Sequence, residues 1–146
     1  MGGVDSSLRP ETMREGTEME GGCHCGHVRY ALSARPFAAD FCHCRDCQQT
    51  TGSPVGAWMD FRVEQVRWVC GAQTEYASST RIRRGFCSIC GSTLSYRSIE
   101  HPEYLTLSIT SLDNPDSVRP TYHIYTERQL VWLPIDDECP RYPEGK

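Results

Sequence analysis

Apolar and polar residues alternate along this chain in short runs, the period that turns successive side chains to opposite faces of a β-strand. Val28, Tyr30 and Leu32 alternate with Arg29 and Ala31, and Val55, Ala57, Met59 and Phe61 form the next run. Leu94 and Tyr96 mark another. Leu105, Leu107 and Ile109, with Thr106 and Ser108 facing the other way, make the clearest stripe. The segment Val66 to Val69 is apolar but too short to orient, and the turn residues Cys70 and Gly71 follow it. Only the stretch after Cys44, through Arg45, Asp46, Gln48 and Gln49, suits a short helical turn, which Gly52 and Pro54 bring to an end. No sequence repeat recurs at a fixed period. The pattern predicts a mainly β fold built from short strands.

The alternation begins only from Gly26 onward. Met1 to Glu20 is rich in Gly, Ser, Glu and Arg and has almost no apolar periodicity, so it cannot bury enough surface to offset its ordering entropy. Residues 1–20 therefore read as a flexible N-terminal tail ahead of a single domain at 21–143. Met1, Gly2 and Ser6 fit the loose pattern for N-myristoylation, a pattern short enough to arise by chance.

Composition supports one small globular domain: 146 residues, 38% hydrophobic and 10% aromatic, with 12 Gly and 9 Pro to supply turns. A formal net charge of -4 gives no general attraction to phosphate backbones or anionic lipid, so no nucleic-acid partner is expected. No apolar run reaches the roughly 18 residues that span a bilayer, and the N-terminus lacks a basic segment followed by an apolar one. Neither membrane insertion nor export by such a signal is predicted. The nine cysteines are odd in number, and most lie one to three positions apart. Neighbours that close favour metal chelation over disulfides, which places the protein in a reducing compartment, the cytoplasm.

Three clusters carry the chemistry: Cys23-His24-Cys25, then Cys42-His43-Cys44-Arg45-Asp46-Cys47, then Cys87-Ser88-Ile89-Cys90-Gly91. The last is the turn of a zinc knuckle, in which a tight loop aims two thiolates at one ion and the glycine permits the backbone to reverse. A redox dithiol is the alternative, but the helical setting of a thioredoxin site is missing. Structural zinc takes four ligands in a tetrahedron. Joining Cys23 and Cys25 to Cys87 and Cys90 closes such a site and ties the first strand to the middle of the chain. The middle cluster differs, because one short loop supplies three thiolates, Cys42, Cys44 and Cys47. Three protein ligands with an exchangeable fourth position characterise a catalytic zinc. A fourth protein group, Cys70, Cys139 or His43, would close that site and make it structural as well.

With these clusters in place, the chain resembles the glutathione-dependent formaldehyde-activating enzyme family, which includes the domain of centromere protein V. The resemblance runs from about Gly21 to Pro143. Its elements are Gly22-Cys23-His24-Cys25-Gly26, Cys42-His43-Cys44 with Cys47, Thr51-Gly52-Ser53-Pro54, Arg84-Gly85-Phe86-Cys87 with Cys90-Gly91-Ser92, Ser111-Leu112-Asp113 with Pro115, and Pro120 with His123-Ile124 and Trp132. It implies a small tent-like fold of antiparallel sheets held by zinc, with a structural ion on Cys23, Cys25, Cys87 and Cys90. It also implies a second zinc on Cys42, Cys44 and Cys47 whose open position takes the sulfur of glutathione.

The expected function follows from these parts. Three thiolates leave a zinc ion with a net charge of about -1, which weakens water activation relative to a three-histidine site. A substrate thiol in the fourth position would still be deprotonated and remain nucleophilic. The chain is expected to be a carbon–sulfur lyase, in reverse a synthase, that joins glutathione or a similar thiol to formaldehyde or another small aldehyde. A zinc hydrolase acting on an imine-like electrophile and a non-enzymatic binding module are the alternatives.

Other residues are weaker candidates. His24 and His43 can donate hydrogen bonds beside the metal loops, and His123 can reach the pocket or serve the core. Arg81, Arg83 and Arg84 can pair with ligand carboxylates or form a solvated face. Trp58 and Trp132 can wall a pocket or simply pack.

Overall fold

The computed structural model describes residues 18–146. The first 17 residues, and with them most of the expected tail and the myristoylation pattern, lie outside the described residues. Among the described residues, ten strands and one α-helix are arranged in chain order as β1 Met19–Gly22, β2 Arg29–Leu32, β3 Ala38–Cys42, α1 Arg45–Thr51, β4 Gly56–Arg62, β5 Val66–Cys70, β6 Thr74–Ala77, β7 Ile82–Phe86, β8 Thr93–Ser98, β9 Tyr104–Ser108 and β10 Tyr122–Ile124. β1 begins two residues ahead of the boundary drawn from composition at Gly21.

Two sheets are present. The smaller has the order β1-β2-β5 and the larger the order β10-β3-β4-β9-β8-β7-β6. Every pairing is antiparallel except β10 against β3, where Ile124 lies beside Cys42. The larger sheet is therefore mixed, with one parallel strand at its edge. Four sequence runs become β2, β4, β8 and β9, but they are not simply half-buried: Ala31, Trp58, Ser95 and Thr106 on their other faces are buried too. Ile109 lies past the end of β9, opening a short 3-10 turn at Ile109–Ser111, but stays buried in the same core as Leu105 and Leu107.

The main core lies between the sheets, where Tyr30 and Leu32 of β2 meet Met59 and Phe61 of β4 and Leu105 and Leu107 of β9, all buried. Burying six side chains of this size stabilises the fold by about 1.5–3 kcal/mol each. Alternation along β4 turns Gly56, Trp58 and Asp60 to the opposite face. Registered beside them on that face are Cys42 and Asp40 of β3 and Thr106 of β9. This second face is buried too: Trp58 is 1% exposed and Asp40 3%. The helix α1 starts just past the end of β3. Its N-cap is Cys44, whose Sγ accepts from the Cys47 N–H, and Gly52 ends it in the left-handed conformation at φ 70°.

Candidate metal centres

The turns that leave β1 and β7 have the same construction. In the first, Cys23 N–H donates to the Val28 carbonyl and Gly26 N–H to the Cys23 carbonyl; in the second, Cys87 N–H donates to Ser92 and Gly91 N–H to Cys87. Gly26 and Gly91 sit at φ 85° and 81°, where a side chain would be strained. Each turn thus presents two sulfurs. Backbone N–H groups point at them, Val28 to Cys23 Sγ at 3.2 Å and Ile89 to Cys87 Sγ at 3.4 Å; against the opposing effect of burial, the first of these bonds helps to lower the Cys23 thiol. The His24 N–H bridges the turns by donating to Ser92 Oγ at 2.9 Å.

The four sulfurs of Cys23, Cys25, Cys87 and Cys90 all lie within 4.8 Å of one another. Cys23 and Cys25 are 3.6 Å apart and Cys25 and Cys87 3.8 Å. Tetrahedral zinc with bonds of about 2.3 Å requires sulfurs about 3.8 Å apart, so this group fits the ion. Hydrogen bonds from Ser92 hold the Cys90 thiol down to about 5.

The second group is Cys42, Cys44 and Cys47, again within 4.8 Å of one another. Cys42 comes from the end of β3, Cys44 from the helix cap and Cys47 from the first turn of α1. Cys70, Cys139 and His43 join neither group. Cys70 is exposed at the end of β5, and Cys139 sits near the Pro120 carbonyl. Hydrogen bonds from Cys42 and Cys47 push the Cys44 thiol down to about 2, helped by the Cys47 N–H and the charge of Arg84, while sharing of the same protons pushes Cys42 up. The three sulfurs titrate as a unit. Both terminal nitrogens of Arg84 lie 3.9 Å from Cys47 Sγ, and its guanidinium covers the Tyr96 ring at 5.3 Å. The basic run does not act together: Arg81 pairs with Glu100, and Arg83, one position out of phase, donates to backbone carbonyls.

His43 points away from the sulfurs into a buried chain. Its Nε2 is 2.8 Å from His123 Nδ1, and His123 Nε2 is 2.9 Å from Asp137 Oδ2. The carboxylate can only accept, so His123 donates to it and receives from His43 Nε2–H. Burial, then the neighbouring His123, pushes His43 down to about 4, which keeps the ring neutral. Gln48 Nε2 donates to the His43 and Arg128 carbonyls and fastens the loop from the other side. Asp137 carried no signal in the sequence, since no spacing links it to the histidines. Asp40 was equally invisible; burial, then Asp60, pushes it up to about 7. Trp132 is 67% exposed and walls nothing.

A cavity of about 630 Å³ runs from Cys23, His24 and Ser92 beside the four-cysteine group to Gly56 and Trp58, with Arg29 also lining it; none of Cys42, Cys44 and Cys47 does. Arg29 is already paired, donating to both carboxylate oxygens of Asp113 at 2.9 and 2.5 Å.

Fold and site together define a small, mainly β, single-domain protein with two cysteine groups that can each hold a thiophilic metal ion. The chain belongs to the glutathione-dependent formaldehyde-activating enzyme family, whose profile matches residues 18–128. It is 29% identical over 135 residues to a Halomonas elongata protein described as "Putative glutathione-dependent formaldehyde-activating enzyme", covering 83% of this chain and 85% of that one. A crystal structure of a Rhodobacter sphaeroides protein matches with a TM-score of 0.56 and 27% identity, over 70% of this chain and 92% of that one. Among the described residues, no helix is long and apolar enough to cross a membrane.

Proposed function

We propose that this protein is a cytoplasmic, zinc-dependent carbon–sulfur lyase and synthase that joins glutathione or a similar thiol to formaldehyde or another small aldehyde. The reading is carried by one observation: Cys42, Cys44 and Cys47 converge without a fourth His, Cys, Asp or Glu donor among the described residues. Membership of the formaldehyde-activating family supports it. Zinc bound there would keep its fourth position for the substrate sulfur and favour the thiolate form of that thiol.

The protein's own residues prepare the group for such a ligand. Arg84 sets a buried positive charge against Cys47, which offsets the accumulation of thiolates. The Cys47 N–H steadies Cys44, and Gln48 with the His43–His123–Asp137 chain fixes the loop. The cavity that reaches Trp58, which shares a buried cluster with Cys42 and Cys47, gives room for the body of a tripeptide-sized thiol. Cys23, Cys25, Cys87 and Cys90 hold a second zinc that ties the two sheets, for two zinc ions per chain in a domain at 21–143.

The test is magnetisation exchange between free and thiol-bound isotope-labelled formaldehyde in glutathione solution, followed by NMR. The protein is expected to accelerate the exchange, and Cys44→Ser to abolish the acceleration. Equal exchange with and without the zinc-loaded protein would refute the reading in favour of a binding module or a hydrolase.

A further inference from the structure

Addition of a thiolate to an aldehyde creates negative charge on oxygen, and nothing in the function proposed above says what receives that charge. Two buried side-chain polar atoms among the described residues have no hydrogen-bond partner, Asp40 Oδ1 and Trp58 Nε1. Asp40, pushed up to about 7 by burial, donates only when protonated, whereas Trp58 Nε1 is a donor at any pH. Leaving such an N–H unpaired in the interior costs about 1–3 kcal/mol, so its retention beside the chemistry calls for a partner.

The position of this N–H follows from the strand register. Gly56 is the cross-strand partner of Cys42. A Cβ built on Gly56 would fall 2.4 Å from Trp58 Nε1, so the N–H edge of the indole occupies the space of the missing side chain. Cross-strand partners hold their Cβ atoms about 4.5–5.5 Å apart, which places Nε1 within about 8 Å of Cys42 Cβ. Trp58 also belongs to one buried cluster with Cys42 and Cys47, and its ring meets Tyr96 edge-on at 4.9 Å. The same indole lines the 630 Å³ cavity. Glycine at 56 and the packing of Tyr96 therefore hold one uncommitted donor between the cavity and the three sulfurs.

We propose that Trp58 is a catalytic residue whose indole N–H donates a hydrogen bond to the aldehyde oxygen as the thiolate adds. In that step the sulfur lone pair forms the S–C bond, the π pair of the carbonyl moves onto oxygen, and a proton from water converts the resulting alkoxide to the hydroxyl of a hydroxymethyl thioether. Trp58 gives up no proton. The bond strengthens as charge builds on the oxygen and weakens as the hydroxyl forms, so the contact favours the transition state over both ends of the reaction.

The proposal rests on the thiol-plus-aldehyde reading, and its test separates the two. In nitrogen-labelled protein the three tryptophans give three indole N–H resonances, and the one lost in Trp58→Phe belongs to Trp58. That resonance is expected to move downfield when glutathione and formaldehyde are added together, and to move far less with glutathione alone. Trp58→Phe is expected to keep its metal and its KM for the thiol while kcat falls roughly 10²-fold, the scale of one lost oxyanion donor. Replacing Trp58 with benzothienylalanine, which keeps the ring shape and removes only the N–H, is expected to reproduce that loss and covers the case in which the phenylalanine variant packs poorly. Turnover with an unmoved indole resonance, or full kcat in the benzothienyl variant, overturns the role of Trp58 alone. A native protein that forms no hydroxymethyl thioether overturns the reading beneath it and the proposal with it.

Discussion

Cys87→Ser and Cys44→Ser each remove one sulfur, yet the fold predicts unequal losses of stability. The group containing Cys87 closes a long loop, since Cys25 and Cys87 touch across 62 positions of the chain. Treated as a cross-link of the unfolded chain, a closure of that length contributes about 4 kcal/mol, against about 2 kcal/mol for the short span from Cys42 to Cys47. The difference, about 2 kcal/mol, is a minimum. Cys87 is fully buried beside Cys23, Val28 and Leu94, where a serine hydroxyl adds a desolvation cost. Cys44 is half-buried and caps α1, and serine caps at least as well as cysteine. For a domain of this size the contrast amounts to roughly 6–12 °C in Tm. Thermal unfolding of zinc-replete variants by circular dichroism, with metal content measured on the same samples, reads it directly. The native protein is expected to hold about two zinc ions, and Cys87→Ser to melt well below Cys44→Ser. Equal melting temperatures, or a lower one for Cys44→Ser, would refute the division into a staple and an open site.

Three further outcomes follow from the charges and thiols. Burial raises the pKa of Asp60, so its ionised form is disfavoured in the fold, and this destabilises the protein above the folded-state pKa. Asp60→Asn, which still accepts from Thr106 Oγ1, should raise Tm at neutral pH, the gain fading as pH falls toward the unfolded value of about 3.9; a gain that persists in acid would disprove this origin. Arg29 holds Asp113 below the usual carboxylate range, so that pair stabilises above about pH 3.9 and its contribution is lost as pH falls through the folded value. The pair is about half exposed, so Asp113→Asn should shift the acid limb by less than about 1 kcal/mol, and a larger shift in urea titrations would point to a second role. Glutathione affinity should rise with pH below about 8.5, because binding releases the thiol proton, and S-methylglutathione should bind far more weakly in calorimetry; equal binding of the two would exclude thiolate capture.

How much of this can be read from the chain depends on whether the determinants are local. The cysteine groups are legible because ligands supplied by one turn must be close in sequence, and the arithmetic of four ligands joins Cys23 and Cys25 to Cys87 and Cys90. Strands β2, β4, β8 and β9 are legible because one face of each meets a core. β3 is not, because its residues, Ala38, Ala39, Asp40, Phe41 and Cys42, show no apolar–polar alternation and its one charged residue, Asp40, is buried. β7 hides behind Arg83, Arg84 and Gly85, which read as a charged run until pairing with β8 separates the two arginines onto opposite faces. β10, three residues long, becomes a strand only through its parallel partner. The contacts that finish the site are non-local in the same way: Asp137 reaches His123 over 14 positions and His43 meets His123 over 80.

The two cysteine groups also differ in what surrounds them, and that difference argues for different uses more strongly than the ligand count does. Cys23 and Cys25 belong to a turn of the small sheet, and Cys87 and Cys90 to a turn of the large one. An ion there resists separation of the sheets and needs no further machinery. Cys42, Cys44 and Cys47 join only neighbouring parts of the chain, so an ion there adds little to the tertiary fold. Yet this group is ringed by costly features: a buried arginine, a buried histidine pair, the buried carboxyl of Asp40 and an unpaired indole N–H. Each of these lowers stability unless it is compensated, and of them only the histidine pair helps to position the loop that supplies the three sulfurs. Polar groups concentrated around the cluster that contributes least to folding are best accounted for by a ligand that arrives there and leaves again.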